Sequence, residues 1–168
     1  MKEITENFIH ELEKNNGLKL NSSQLKVLKN IYITINENIS SNIFSNFFSQ
    51  NKKGIYLFGP SGRGKTMLMN SINSFFSKKK SYKIHFNELI FQLQKIDFSS
   101  KKKLLNELKK NKIFFNGQKI ICIDELDINN FADIVILQKF LVQANKSKIF
   151  TFFTSNKSPK LPLSVSPP

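Results

Sequence analysis

Cysteine and long apolar runs are both scarce in this chain of 168 residues, and each scarcity excludes a class of protein. The single cysteine, Cys122, cannot form an intramolecular disulfide, and its place in an apolar run suggests a small buried side chain rather than a nucleophile. No apolar run approaches the roughly 20 residues of a membrane-spanning helix, and the acid-containing N-terminus has no signal-peptide segment. We therefore expect a cytoplasmic protein in a reducing compartment.

Arginine is also nearly absent, although the chain is strongly basic. Arg63 is the only arginine among 26 basic residues, which give a net charge of +14. Lysines spread along a chain usually form a solvated surface, but the denser runs at 78–80 and 101–103 could contact nucleic acid or an anionic membrane. Because no aromatic platform or DNA-reading module accompanies them, nucleic acid is not the expected partner, although it is not excluded.

A glycine-rich segment fits the phosphate-loop pattern G-x-x-x-x-G-K-[ST] at every fixed position. An apolar run at 54–58 precedes it and a helix-forming run at 67–72 follows, so the order is strand, loop, helix. Glycines let backbone N–H groups turn around a polyphosphate, and the helix N-terminus favours its negative charge. The predicted nucleotide-binding residues are Gly59, Pro60, Ser61, Gly62, Arg63, Gly64, Lys65 and Thr66.

The ends of this loop have distinct expected roles. Lys65 is expected to reach the β- and γ-phosphates of a nucleoside triphosphate, and the Thr66 hydroxyl to ligate Mg²⁺. The alternative, a chance glycine turn before a helix, would not require strand, loop and Lys-Thr pair to be in register. We therefore predict that the chain binds a nucleoside triphosphate with Mg²⁺.

A second apolar run, at 120–123, leads directly into Asp124 and Glu125. A parallel strand buried on both faces is apolar throughout, and ligands bind at its carboxyl end. Asp124 is expected to hold Mg²⁺ through water, and Glu125 to polarise the attacking water. Two acids that merely end a strand are the structural alternative. Because this acid pair comes after the phosphate loop, in the order expected of such a site, it predicts hydrolysis of the bound nucleotide.

The apolar periodicity divides the chain into three segments. Residues 1–52 carry helical spacing, and a helix is predicted to begin near Asn21, where Gln24 can complete a capping box. Residues 53–157 form the predicted nucleotide-binding core. The tail, 158–168, is rich in proline and should be irregular.

Within the core, strand and helix patterns alternate, which implies right-handed crossovers and a mostly parallel sheet with helices on both faces. The predicted fold class is therefore α/β, a three-layer P-loop nucleotide-binding domain with a helical lead-in. The predicted strands are 54–58, 82–86, 119–124 and 148–153, and the predicted helices are 65–77, 87–96, 101–111 and 131–144.

Five short motifs occur in a fixed order along the sequence. They are Gly-Arg-Gly-Lys-Thr-Met-Leu-Met from residue 62, His85-Phe86, Asp124-Glu125-Leu126, Ala132-Asp133, and Thr154-Ser155-Asn156 followed by Pro159. Through them the chain, from about residue 20 to 161, resembles the ZapE-type ATPases of bacterial cell division and their mitochondrial relatives, which are AAA+-like P-loop proteins. The resemblance implies that ATP is the nucleotide and that Asn156 is the polar sensor beside the γ-phosphate, although a turn asparagine is the alternative.

The same resemblance implies a cytoplasmic ATPase that assists the division machinery. Its expected partners are cell-division proteins at the membrane face and further copies of the chain. His85 fits a packed or surface histidine as well as a functional one. Asp133 is expected to be an acid near a helix N-terminus, where the helix dipole favours it.

The chain departs from that family towards its C-terminus. The family continues through a Gly-Leu-x-Arg segment, a further strand and a helical region, whereas this sequence does not resemble that continuation. We therefore expect no C-terminal lid and an exposed apolar edge at 54–58. Because Arg63 lies in the phosphate loop, no residue remains as a conventional arginine finger. Two alternatives to ATP hydrolysis stay open: a nucleotide-binding switch or remnant without turnover, and a helicase-loader-like DNA-binding ATPase.

Overall fold

The computed structural model describes residues 6, 9, 10, 13, 20–40, 54–76, 81–95 and 119–159. Most of the predicted helical lead-in before residue 20, the predicted helix at 101–111, both dense lysine runs and the tail beyond residue 159 lie outside the described residues. The division of the chain at residues 52 and 157 stays a prediction.

The described residues form one parallel sheet of four strands. The strands are β1 (Gly54–Phe58), β2 (Ser81–His85), β3 (Ile120–Asp124) and β4 (Phe150–Ser155). Their order in the sheet is β1-β4-β3-β2, so consecutive strands β1 and β2 lie at opposite edges. Burial increases towards the centre: β3 and β4 are buried at every position, as their continuous apolar and β-branched composition requires. The predicted parallel α/β sheet is confirmed.

Four described helices surround this sheet. They are α1 (Ser22–Ser40), α2 (Lys65–Phe75), α3 (Phe86–Gln94) and α4 (Phe131–Lys146). No described helix has both the length and the apolar character that crossing a bilayer requires.

Alternate residues of β3 face two hydrophobic cores on opposite sides of the sheet. Cys122 faces the core formed with α1 and α2, in which Leu28, Met69 and Phe152 are buried. Ile123 faces the opposite core, formed with α3 and α4. The sheet is therefore the middle of three layers, as predicted. Burial raises the pKa of the Cys122 thiol to about 12, which agrees with its expected role as an apolar side chain rather than a nucleophile.

Local signals determine where two of the helices begin. At α1, the Asn21 N–H donates to Gln24 Oε1 at 3.1 Å and the Gln24 N–H donates to Asn21 Oδ1 at 2.9 Å, which is the predicted capping box. At α4, the Asp133 N–H donates to Asn130 Oδ1 at 2.9 Å, and Asn130 Nδ2 donates to Asp133 Oδ2 at 2.9 Å. Asp133 is thus an acid in the first turn of a helix, as expected from the sequence.

Five strand boundaries differ from their predicted positions by one or two residues, and two of these shifts have a local cause. β4 begins at Phe150 rather than Lys148, because Lys148 takes a left-handed φ of 55° where the chain leaves α4. β2 ends at His85, one residue early, because the buried Phe86 already begins α3. Neither shift moves a predicted site residue to another element.

Candidate active site

The glycine-rich segment forms the loop between β1 and α2, at the carboxyl end of the sheet. Gly62 and Gly64 have φ values of 74° and 84°, a left-handed conformation that side-chain-bearing residues rarely adopt. A Cβ on Gly64 would also lie 2.9 Å from Gln24 Nε2 of α1. The left-handed backbone therefore favours glycine at both positions, and at Gly64 a side chain would also displace the amide end of Gln24.

The N-terminus of α2 is free of the groups that usually neutralise a helix start. Its N-cap residue, Gly64, supplies no side-chain hydrogen bond, and the first turn contains no acid. Ser61, Gly62 and Arg63, which precede it, are exposed. The partial positive charge of the helix start thus faces an open loop, an arrangement suited to phosphate oxygens.

The Lys65 side chain folds back onto the first two residues of the phosphate loop. Its Nζ donates to the carbonyl oxygens of Gly59 and Pro60, both at 2.8 Å. The ammonium group therefore lies across the segment that would enclose a phosphate. The contact of Lys65 with the β- and γ-phosphates stays a prediction.

Asp124 is fully buried at the end of β3 and is the most connected side chain of the site. Its Oδ1 accepts hydrogen bonds from Thr66 Oγ1 at 3.1 Å and from Thr154 Oγ1 at 2.5 Å. Its Oδ2 lies 2.9 Å from the ammonium of Lys83. Burial raises the pKa of Asp124, but the hydrogen bonds from Thr154, Lys83 and Thr66 and the charge of Lys83 outweigh it, so the pKa is below its usual value.

The residues present fit a Mg²⁺ ion. The Thr66 hydroxyl and the Asp124 carboxylate, both hard oxygen ligands, meet beside the phosphate loop. Among the described residues no group of three or more His, Cys, Asp or Glu side chains could hold a metal ion. Mg²⁺ usually keeps several waters and takes further oxygens from substrate phosphates, so it needs few protein ligands.

Glu125 follows Asp124 but has a different environment, since its side chain is exposed. Its backbone is left-handed, with φ 57°, which is uncommon for a non-glycine residue. The bend is held by hydrogen bonds to Thr154: the Glu125 N–H donates to Thr154 Oγ1 at 3.0 Å, and the Leu126 N–H to the Thr154 carbonyl at 2.7 Å. The two acids are thus separated at the strand end, one buried and one exposed.

Asn156, the predicted sensor, is exposed immediately after β4. Three hydrogen bonds hold the segment around Asn156 in place. The Gly59 N–H donates to the Ser155 carbonyl at 3.2 Å, Ser155 Oγ donates to the Leu126 carbonyl at 2.7 Å, and the Tyr56 hydroxyl donates to the Lys157 carbonyl at 2.9 Å. Lys157 also forms an ion pair with Asp127 in the loop after β3. Asn156 therefore lies between the phosphate loop and the acidic loop, and its contact with a γ-phosphate stays a prediction.

Three residues of the site were not predicted from the sequence: Lys83, Thr154 and Gln24. Lys83 lies within an edge strand and belongs to no motif. Thr154 belongs to the Thr154-Ser155-Asn156 motif, from which a role was predicted only for Asn156. Gln24 was predicted only as a capping residue, yet its Nε2 also donates to the Arg63 carbonyl at 3.4 Å and connects α1 to the phosphate loop. His85 ends β2 in register with Asp124 of β3, and its exposed side chain makes no capping hydrogen bond at the start of α3.

Together, the parallel sheet, the glycine loop after β1 and the buried acid at the end of β3 define a P-loop domain of AAA+-like fold. The chain belongs to the AFG1-like ATPase family, whose model matches residues 10–163. This confirms the predicted P-loop ATPase class, and the ZapE type stays a prediction.

Curated relatives agree with this assignment at low identity. The chain is 29% identical over 119 residues to the lactation elevated protein 1 homolog B of Danio rerio, covering 64% of this chain and 24% of the relative. It is also 29% identical over 113 residues to an uncharacterised protein of Schizosaccharomyces pombe, covering 64% of this chain and 25% of the relative. The chain thus spans about a quarter of the length of these relatives.

Solved structures share the fold. The crystal structure of DnaI matches with a TM-score of 0.56 at 20% identity, over 85% of this chain and 71% of that one. The structure of C. elegans PCH-2 matches with a TM-score of 0.55 at 17% identity, over 89% of this chain and 40% of that one. At this level of identity the similarity concerns the architecture of the domain.

Proposed function

We propose that this chain binds ATP together with Mg²⁺ and hydrolyses it to ADP and phosphate. The observation that carries the proposal is the hydrogen bond between Thr66 and the buried Asp124, separated by 58 residues in sequence and joined beside Lys65 and the phosphate loop. Family membership supports a nucleotide as the substrate. The preference for ATP over GTP rests on the resemblance described above, because no base-reading motif is visible.

In the proposed reaction the chain positions the nucleotide and one water molecule. The backbone N–H groups of the loop and Lys65 hold the β- and γ-phosphates. Glu125 accepts a proton from the attacking water, whose oxygen forms a bond to the γ-phosphorus as the bond to the β–γ bridging oxygen breaks and ADP leaves with that oxygen. Asn156 contacts the γ-phosphate. Mg²⁺, held by Thr66 directly and by Asp124 through water, would neutralise phosphate charge.

The cellular role is proposed from the resemblance. We propose a cytoplasmic ATPase that assists cell division, with division proteins at the membrane face and further copies of this chain as partners. Nucleic acid is not proposed as a partner, because no aromatic platform or DNA-reading module accompanies the basic runs of the sequence.

Phosphate release by the purified chain with ATP and Mg²⁺, measured together with binding of a fluorescent ATP analogue, tests the proposed activity. Turnover that requires Mg²⁺ supports hydrolysis. Binding without phosphate release favours the nucleotide-binding switch, for which the position of the sole arginine, Arg63, within the exposed phosphate loop is the specific argument. Neither binding nor release would refute both functions. Stimulation by single-stranded DNA that falls steeply with salt would instead support the DNA-binding alternative.

We expect Thr154 to position both acids of the site. Its hydroxyl donates to Asp124 Oδ1 and accepts the N–H of Glu125, so Thr154→Val removes both contacts at nearly constant volume. Loss of such supporting hydrogen bonds typically lowers activity about 10- to 100-fold. We expect kcat to fall by roughly that factor, with little change in the affinity for the ATP analogue.

Two further variants separate this positioning role from a general loss of stability. Thr154→Ser retains the hydroxyl and should recover most of the rate. Thr151→Val makes the same chemical change at a buried threonine of the same strand and should leave kcat unchanged. Wild-type turnover by Thr154→Val would show that the two acids do not depend on this hydroxyl.

A further inference from the structure

Lys83 introduces a positive charge beside the carboxylate that would support Mg²⁺. It lies on the edge strand β2, in register with Cys122 of β3. Its ammonium is 2.9 Å from Asp124 Oδ2 and donates to Asn70 Oδ1 of α2 at 2.6 Å. The Lys83 side chain is 21% exposed, whereas that of Asp124 is fully buried. The ammonium therefore lies between the central carboxylate and solvent.

Both carboxylate oxygens of Asp124 are thus engaged by the protein itself. Thr66 and Thr154 donate to Oδ1, and Lys83 pairs with Oδ2. A buried carboxylate needs a compensating cation, because an unpaired buried charge is strongly destabilising. The Lys83 ammonium supplies that cation.

We propose that Lys83 is an internal competitor of the divalent cation: it stabilises Asp124 while the site is free of metal and lowers the affinity of the nucleotide complex for Mg²⁺. The inference rests on the proposed nucleotide-binding function. A metal ion near Thr66 and the Lys83 ammonium would share one carboxylate and repel each other at short range. Because the two threonines hold Oδ1, the charge of Lys83 is not required to orient the carboxylate.

The coupling between nucleotide and metal measures this competition directly. The dissociation constant of a fluorescent ADP analogue, mant-ADP, is measured in EDTA and at saturating Mg²⁺. The Kd in EDTA divided by the Kd at saturating Mg²⁺ is the coupling ratio, which is larger when Mg²⁺ strengthens nucleotide binding more. ADP is used so that the result does not depend on turnover. We expect Lys83→Gln, which removes the charge and keeps a hydrogen-bonding side chain, to raise this ratio about 10-fold or more.

Matched variants test whether charge is the cause. Lys83→Arg retains the charge and should keep a ratio near that of the wild type, whereas Lys83→Met should behave like Lys83→Gln. Lys29→Gln makes the same charge change at an exposed position of α1 and should leave the ratio unchanged. Circular dichroism checks that each variant is folded, and Lys83→Met provides the neutral variant if Lys83→Gln does not fold.

Each outcome decides the inference. A raised ratio in the neutral variants alone supports competition. An unchanged ratio with intact mant-ADP binding overturns it and leaves Lys83 as a structural ion pair, while the proposed nucleotide-binding function survives. A lowered ratio also overturns it, because Lys83 would then help Asp124 to bind metal. Failure of the wild-type chain to bind mant-ADP would overturn both this inference and the proposed function.

Discussion

Glu125→Gln is expected to abolish most phosphate release while leaving ATP binding nearly unchanged. The substitution preserves the shape of an exposed side chain and removes its negative charge and its ability to accept a proton. Positioned general bases typically contribute about 10²- to 10⁴-fold to a rate, so we expect kcat to fall within that range. The backbone bend at residue 125 should persist, because it is held by the N–H of this residue and by Thr154.

The measurement is the initial rate of phosphate release at saturating ATP and Mg²⁺, with the affinity of the ATP analogue determined in parallel. Glu88→Gln is the matched control, since Glu88 is an exposed acid on α3 outside the site. A Glu125→Gln variant that retains more than half of the wild-type rate would remove this residue from the proposed mechanism. A parallel loss of binding would indicate that Glu125 supports the site structurally.

Lys65→Ala is expected to act at the preceding step by weakening nucleotide binding. Hydrogen bonds to charged groups contribute about 1.5–3 kcal/mol each, so the loss of one phosphate-binding ammonium should raise the Kd about 10- to 100-fold. The structure adds a second effect. Without Lys65, the carbonyl oxygens of Gly59 and Pro60 lose their ammonium partner, so the conformation of the loop is less well held.

Binding of the ATP analogue, titrated at fixed Mg²⁺, measures this loss. Lys29→Ala removes a lysine from an exposed position on α1 and should bind the analogue as the wild type does. If Lys65→Ala bound with wild-type affinity, the glycine-rich loop would not be the phosphate site. Together with Glu125→Gln, this variant separates the two steps, because one substitution removes binding and the other removes turnover.

Much of the site could be predicted from the sequence because its signals are local. The phosphate loop at 59–66 is a contiguous pattern, and its glycines are required by the left-handed backbone at Gly62 and Gly64. The apolar run that ends in Asp124 indicated a buried strand, and β3 is buried throughout. The capping box at Asn21 depends on residues only three positions apart. In each case the residues that determine the conformation are neighbours in the chain.

The tertiary structure alone decided which of these segments meet. Periodicity shows which face of a strand is buried, but it does not show which strand lies beside it. Strands β1 and β2 are consecutive in the chain and yet lie at opposite edges of the sheet, with β4 inserted next to β1. That order brings Thr154 to Asp124 across 30 residues of sequence. Lys83 reaches the same carboxylate from the neighbouring strand β2.

The sequence by itself therefore determined the chemical groups of the site: a phosphate loop, a lysine, a hydroxyl and two acids. Only the folded chain showed that Thr154 connects the two acids and that Lys83 occupies the second oxygen of Asp124. The physical reason is that motif spacing records local backbone geometry. The hydrogen bonds and charges that surround a buried carboxylate depend on strand order and on the packing of helices against the sheet.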